Sequence, residues 1–366
     1  MTDHCRWGIL GTAGIARKNW KAIRLAGNAR VVAVGSRSKE SAQRFVDECS
    51  SQVPQASIPD AESSYAAVLE RDDIDAVYIP LPTAMRHEWV IKAAEKGKHV
   101  IGEKPAACNA SQVEEMLAAC RENSVQYMDG VMFMHSDRLP QFRSALETTG
   151  AVGTIRRLTS QFSFNGDEEF RTSNIRAHSE LEPYGCLGDL GWYCSRIFMW
   201  ILNGEVPVEV TAKILTPLQA KGSPGSVPGE FQAELTFASG VRAVFYNAFV
   251  AANQQWVHVS GTEGHLRIDD FVLPYHGPEV AFHHIQDVFD VDNCEFHMEH
   301  HRTRYSTREY DANAQTAQEV KLFRNFSNIV LTGPLDASWP EWTLKTQRVL
   351  DACYQSATRN GETVTL

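Results

Sequence analysis

Three short segments contain residues whose types and spacing can move a hydride and a proton. In Gly185-Cys186-Leu187-Gly188-Asp189-Leu190-Gly191-Trp192-Tyr193, Asp189 and Tyr193 lie four residues apart, so a helix starting near Leu187 would carry both on one face. A phenol there can give or take a proton, and the carboxylate can orient a substrate or join the relay. Gly102-Glu103-Lys104-Pro105 follows a strand-like run. A lysine at that strand end can stabilise a developing alkoxide and lower the pKa of a neighbouring acid. The plain alternatives are a surface lysine and a helix N-terminus with an acidic first-turn residue and a packed tyrosine.

The third segment is Gly8-Ile9-Leu10-Gly11-Thr12-Ala13-Gly14-Ile15-Ala16, which follows the first strand-like run and opens a helix. It is an imperfect GxGxxA fingerprint of dinucleotide binding. Gly11 makes the tight turn, Ala13 is small enough to let the backbone approach a pyrophosphate, and Ala16 allows close helix-strand packing. Ala13 stands where a second glycine is usual. The next strand ends in Ser36-Arg37, where an NAD site places a carboxylate for the ribose 2′-hydroxyl. A hydroxyl and a guanidinium suit a 2′-phosphate instead, so NADP is favoured, with NAD the weaker option.

Positioning these groups requires alternating strands and helices. Arg6–Leu10, Arg30–Val34, Ala76–Ile79, His99–Ile101 and Gln126–Met128 read as strands of a parallel sheet, with helical spacing over His87–Lys96 and Ser111–Glu122 between them. Ser111 with Glu114 reads as a capping box. After His135 the pattern becomes long alternating strands. Phe231–Phe237 with Val241–Phe249, and Trp256–Ser260 with Leu266–Ile268, read as hairpins of a mostly antiparallel sheet, and Pro217–Gly229 as an exposed loop. Gln318–Leu331 and Trp342–Arg359 read as helices, with a terminal strand over Thr363–Leu366.

The 366 residues suit about two domains. A hydrophobic fraction of 43% and a charged fraction of 22% exclude general disorder. The formal net charge of -10, without a basic tract, argues against nucleic acid and anionic membranes as partners. No run approaches the roughly 18 apolar residues of a membrane span, and the N-terminus lacks the pattern of a signal peptide. Eight scattered cysteines without a CxxC pair fit reduced thiols, so a cytoplasmic location is expected. His283, His284, Cys294, His297, His300 and His301 crowd together, but their spacing matches no standard zinc pattern, and the acidic residues among them suggest a polar excursion. No metal is expected.

The GxGxxA-like turn, the Glu103-Lys104-Pro105 triplet and the Asp189-x-Gly191-x-Tyr193 segment together resemble the glucose-fructose oxidoreductase and inositol 2-dehydrogenase family. The resemblance extends over nearly the whole chain, including Pro82, Thr83 and His87 after the Ala76–Ile79 run, and Arg176. It implies an α/β protein with an N-terminal Rossmann domain (1–134) and a C-terminal α/β domain (135–366) whose large open sheet serves substrate binding and oligomerisation, with a homodimer or higher homo-oligomer expected. It implies that Lys104 is catalytic, that Tyr193 is the general acid/base and that Asp189 is its partner. Many members have histidine where Tyr193 stands; tyrosine marks the branch with dimeric dihydrodiol dehydrogenase and NADP-dependent D-xylose dehydrogenase. Gly188 departs from the family's leucine. The cofactor set is then Gly11, Thr12, Ala13, Gly14, Ile15, Ala16, Ser36, Arg37, Pro80, Leu81, Pro82, His87, Glu103 and Lys104. Phe133, Phe162, Arg176 and Trp256 are candidates for a pocket that holds a carbohydrate or diol. The expected activity is NADP-dependent hydride transfer to or from a hydroxyl-bearing carbon of a sugar, polyol or cyclic trans-diol. The alternative is a catalytically silent NADP(H)-binding regulator of the same fold.

Overall fold

A computed structural model describes residues 4–147, 151–311 and 314–366. Strands β1 (Cys5–Leu10), β2 (Ala29–Gly35), β3 (Asp60–Glu62), β4 (Ala76–Ile79), β5 (His99–Gly102) and β6 (Tyr127–Asp129) form one sheet in the order β3-β2-β1-β4-β5-β6. Every pairing in it is parallel. Crossovers run through α1 (Gly14–Leu25), α2 (Lys39–Gln52), α3 (Tyr65–Leu69), α4 (Thr83–Glu95) and α5 (Ala110–Glu122). This is a doubly wound sheet whose strand order reverses between β1 and β4, the place where such sheets bind ligands. The central strands are apolar because both faces are covered; all four residues of β4 are buried.

Local chemistry corrects some expected boundaries. Helix α4 starts at Thr83 rather than His87, and its first turn receives Glu182, whose carboxylate accepts from the Thr83 N–H at 3.0 Å and from its hydroxyl. No capping box forms at Ser111: Asn109 caps α5 by accepting from the Gln112 N–H at 2.9 Å, leaving Ser111 one residue inside the helix. Strand β3 is short and half-exposed, which hides it from periodicity.

The remaining chain contains α6 (Arg138–Glu147), β7 (Ile155–Asn165), α7 (Glu168–Ser173), α8 (Trp192–Ile201), β8 (Glu209–Leu218), β9 (Val227–Thr236), β10 (Arg242–Ala248), β11 (Val250–Gly261), β12 (His265–Ile268), β13 (Val280–Asp292), β14 (Glu295–Thr307), α9 (Gln318–Thr332), α10 (Ser338–Thr358) and β15 (Val364–Thr365). Its nine-stranded sheet has the order β14-β13-β12-β11-β7-β10-β9-β8-β15. All pairs are antiparallel except β7 with β10. The segment 217–229 is only partly a loop. Its ends belong to β8 and β9, and Val227 and Ala220 are buried.

Helices cover one face of this sheet, with Phe231, Phe245 and Val257 packed beneath Trp192, Phe198 and Leu350. Helix α9 returns to the first sheet, where Trp7 of β1 lies 5.2 Å from Phe323 and 5.3 Å from Phe326, and its indole donates to Ser327 at 3.1 Å. A buried ion pair ties α8 to the first sheet: Arg196 of α8 and Asp129 of β6 meet at 2.6 Å, and the Trp192 indole donates to the same carboxylate at 2.9 Å.

The His/Cys-rich stretch, expected as a polar excursion, is regular in structure. It forms β13 and β14, a hairpin of 13-residue strands that runs out beyond the sheet. Phe289 opposes Met298 and Val291 opposes Phe296, leaving four apolar side chains exposed on one face. The histidines have separate partners, His300 with Asp287 at 2.6 Å and His301 with Glu299 at 2.9 Å. Among the described residues no three His, Cys, Asp or Glu side chains group to hold an ion, and no helix is long and apolar enough to cross a membrane. The eight cysteines are free.

Candidate active site

At the end of β1, Gly11 turns the chain with φ +116°, a conformation that L side chains avoid, and an added Cβ would lie 3.0 Å from Leu81. Ala13 then precedes α1 with no side-chain cap, and the first turn carries no acidic residue. Ala13, Gly14 and Ile15 line the main cavity, so this helix end offers it unused N–H groups and the positive end of a twelve-residue dipole. A Cβ at Gly14 would meet nothing within 4 Å. This opening fits a pyrophosphate despite Ala13. Ala16 is buried beneath the turn, and the Thr12 carbonyl accepts from Arg17 at 3.3 Å. At the end of β2 Ser36 is buried and Arg37 exposed, with no carboxylate at either position to repel a 2′-phosphate.

The catalytic candidates come from both sheets. Lys104 follows β5, and its ammonium donates to the Asp189 carboxylate at 2.6 Å and to the Asp189 carbonyl at 2.7 Å. Arg176 Nε approaches the other carboxylate oxygen at 2.9 Å. Burial alone would raise the Asp189 pKa, but Arg176 and Lys104 together hold it well below the usual carboxylate range. Asp189 lies in a π-helical turn, Leu187–Gly191, that runs straight into α8, so the expected plain helix start is replaced by a wider turn. Gly185 enters the segment at φ +48°, where a Cβ would lie 2.3 Å from the Pro228 carbonyl. Gly188 has no room for a leucine-like side chain, since even a Cβ would approach Tyr184 at 3.0 Å and Pro105 at 3.1 Å.

Tyr193 lies under Lys104, with the ammonium 4.7 Å from its ring centroid, and its hydroxyl faces the Met132 sulfur at 3.8 Å. Phe133 and Phe162 flank the ring at 6.1 and 5.7 Å. Burial, then Glu103 and Asp189, push the phenol pKa well above its ordinary value, with Arg176 opposing. Asp189 carries the counter-charge of the Lys104 ammonium and acts on the phenol in the opposite direction to a cation.

One cavity of about 880 Å³ joins both groups of residues. Ala13, Gly14, Ile15, Pro80, Leu81, Glu103, Lys104, Phe162, Arg176, Asp189 and Tyr193 line it. Several other candidates lie off its wall. Pro82 precedes α4. His87 faces α5 and pairs with Glu115 at 2.7 Å, and it is not among the residues lining the cavity. Phe133 is buried behind Tyr193 as a packing layer. Trp256 is one residue out of register: Gln255 and Val257 face the covered side of β11, so Trp256 points to the open face, where its indole donates to Gln254 at 3.0 Å.

Sequence reasoning missed a buried relay. Asn19, one turn into α1, donates to the Tyr78 hydroxyl at 2.7 Å, and that hydroxyl donates to Glu103 at 2.6 Å. Asn19 within an otherwise apolar helix face was the available signal. Also missed were Phe170, Leu273 and Tyr275, which line the outer cavity from segments distant in sequence.

Comparison with known proteins gives the same picture. Residues 5–131 match the model of an oxidoreductase family with an NAD-binding Rossmann fold, and residues 143–267 match the GFO/IDH/MocA C-terminal domain. A dTDP-3,4-didehydro-2,6-dideoxy-alpha-D-glucose 3-reductase of Saccharopolyspora spinosa is 31% identical over 75% of this chain and 77% of its own. An NADP(+)-dependent D-xylose 1-dehydrogenase of Haloferax volcanii is 28% identical over 96% of this chain and 97% of its own. Among solved structures, a 3-ketoreductase from Actinomadura kijaniata in complex with NADP and TDP-benzene superposes with a TM-score of 0.81 at 26% identity, covering 96% of this chain and 98% of that one. The chain belongs to the GFO/IDH/MocA family of oxidoreductases.

Proposed function

We propose that this oxidoreductase uses NADP to interconvert a hydroxyl-bearing carbon of a sugar, polyol or cyclic trans-diol with the corresponding carbonyl, with Tyr193 as general acid/base and Lys104 as electrostatic stabiliser. The observation that carries this reading is convergence: Lys104, Asp189 and Tyr193 meet on the wall of the same cavity as the uncapped end of α1. NADP, when bound, supplies a hydride acceptor at C4 of its nicotinamide, or a donor when reduced. Ala13, Gly14 and Ile15 present backbone N–H groups to phosphate, and Ser36 with Arg37 suits the 2′-phosphate.

The protonated Tyr193 is set to give its proton to a carbonyl oxygen in reduction. In oxidation it takes the hydroxyl proton, and the alkoxide-like charge that develops is stabilised by Lys104. Asp189 holds that ammonium through two contacts, and the carboxylate is itself oriented by Arg176. Phe162 and Leu190 keep the site apolar, which strengthens every charge interaction within it. The sugar chemistry named for the relatives supports the substrate class.

The bare face of the nine-stranded sheet, continued by Phe289, Val291, Phe296 and Met298 on the hairpin, is the self-association surface in this reading, which light scattering of the purified protein tests. Activity is tested by NADPH titration followed by turnover with aldoses, polyols, trans-diols and dicarbonyls. Full activity in Lys104→Met and Tyr193→Phe would refute the assigned roles.

A further inference from the structure

The cavity has two features that the hydride-transfer reading leaves unexplained: the charges of its wall are balanced, and part of its outer rim is apolar. Four cations line the cavity, and each already faces a carboxylate. Lys18 lies 3.5 Å from Glu319, Lys104 2.6 Å and Arg176 2.9 Å from Asp189. Arg86, almost fully buried, lies 3.8 Å from Glu182 and also donates to the carbonyls of Leu81 and Pro105. Glu103 adds a further carboxylate. The backbone N–H groups at the start of α1 are taken by the cofactor's phosphates in the hydride-transfer reading, so a second phosphate carried by the substrate would find no disengaged cation among the described lining residues, and a desolvated anion without a partner is strongly disfavoured.

The mouth is different in kind. Ile175, Leu273 and Tyr275 expose 41%, 45% and 63% of their surfaces there, with Phe164 and Phe170 behind them. Leu273 and Tyr275 sit on a fastened loop. The Gln255 carboxamide holds both backbone groups of Leu273, donating to its carbonyl at 2.5 Å and accepting its N–H at 2.6 Å. Asp270 accepts the Tyr275 N–H at 2.8 Å and is anchored by Arg138 at 2.5 Å. An apolar patch held rigidly beside a polar, charge-balanced centre favours a ligand with the complementary layout.

We infer that the substrate is an uncharged polyhydroxylated ring bearing a flat apolar substituent, such as an aryl group, and not a sugar phosphate or sugar nucleotide. This rests on the hydride-transfer reading for the inner half of the cavity. The aryl group lies against Leu273 and Tyr275, while the hydroxyls face Lys104, Asp189 and Tyr193.

The test is calorimetric binding to the NADP-loaded protein of matched methyl and phenyl glycosides of glucose, galactose and xylose, together with glucose 1-phosphate and dTDP-glucose. The phenyl member of at least one pair should bind about tenfold tighter than its methyl counterpart, a difference of about 1.4 kcal/mol. Neither phosphate compound should bind tighter than free glucose. The double substitution Leu273→Ala and Tyr275→Ala should remove the phenyl preference while NADPH affinity stays within twofold. Equal phenyl and methyl affinities, absence of binding by every pair, or preference for a phosphate compound would overturn the inference. Failure to bind NADPH would instead overturn the hydride-transfer reading on which it rests.

Discussion

Lys104 and Asp189 form a contact ion pair beside Tyr193, so removing either charge exposes the phenol to the other, and the two substitutions must shift its pKa in opposite directions. Asp189→Asn removes an anion that raises the phenol pKa and leaves Arg176, which lowers it. Lys104→Met removes a cation 4.7 Å from the ring centroid and leaves Asp189. At that distance a unit charge contributes ~3.5 kcal/mol at an effective dielectric of 20 and ~0.9 kcal/mol in bulk water, equivalent to ~2.6 and ~0.6 pH units. The partly water-accessible site lies between these limits, giving a shift of about 1 to 2 units. Oxidation requires Tyr193 to accept a proton, so its rate climbs with pH toward the phenol pKa. The rising limb of kcat/KM against pH is therefore expected to move to lower pH in Asp189→Asn and to higher pH in Lys104→Met. Thermal melting and NADPH fluorescence titration check that both variants fold and bind cofactor. Shifts of the same sign, or shifts below about 0.3 units in both, would refute the charge reasoning.

Arg37→Asp should lower the ratio of NADPH to NADH affinity at least about tenfold, because it replaces a phosphate-pairing guanidinium with a repelling carboxylate; fluorescence titration of both cofactors checks this. Gly11→Ala forces a side chain into a positive-φ turn against Leu81, and the strain of about 1 to 3 kcal/mol should appear as a lower melting temperature with weakened NADPH binding. Asp129→Ala leaves the fully buried Arg196 without its carboxylate, so denaturant titration should show a loss of about 3 to 5 kcal/mol. Burial, then Lys321 and Arg196, push the His135 pKa down to about 3, below its unfolded value of about 6.5. The stability this neutral imidazole contributes is complete above pH about 6.5 and falls as pH drops from there toward 3; urea titrations of wild type and His135→Gln across that range should show a smaller acid loss in the variant.

Much of the site is legible in sequence because its chemistry depends on local backbone geometry. The turn from Gly11 to Ala16 is one strand end and one helix start, and Lys104 and Tyr193 each sit at a recognisable strand end or glycine-rich turn. Their meeting is not legible, since Lys104 and Asp189 are 85 residues apart and are joined only by packing of the second sheet against the first. Register defeats reading from composition. Trp256 looks like a pocket wall, yet the pleat turns Gln255 to the cavity instead. His87 has the right position in the chain, but its imidazole pairs with Glu115 on the next helix and is off the cavity wall. The 283–301 stretch reads as a polar excursion because most of its hairpin is exposed on both faces, so neither face shows a buried stripe that would mark paired strands. Tyr275 and Leu273 could not be inferred, because contacts with residues distant in sequence, among them Gln255 and Gln318, bring that loop to the cavity.

The most direct measurement is absorbance at 340 nm on mixing the protein and NADP with neutral sugars, polyols, aryl glycosides and trans-diols, run beside Tyr193→Phe. The expected result is NADPH formation by the wild type with at least one of these compounds, and a loss of at least about a thousandfold in the variant with NADPH affinity unchanged. Tight NADPH binding with no turnover of any compound, or a Tyr193→Phe variant as fast as wild type, would contradict it.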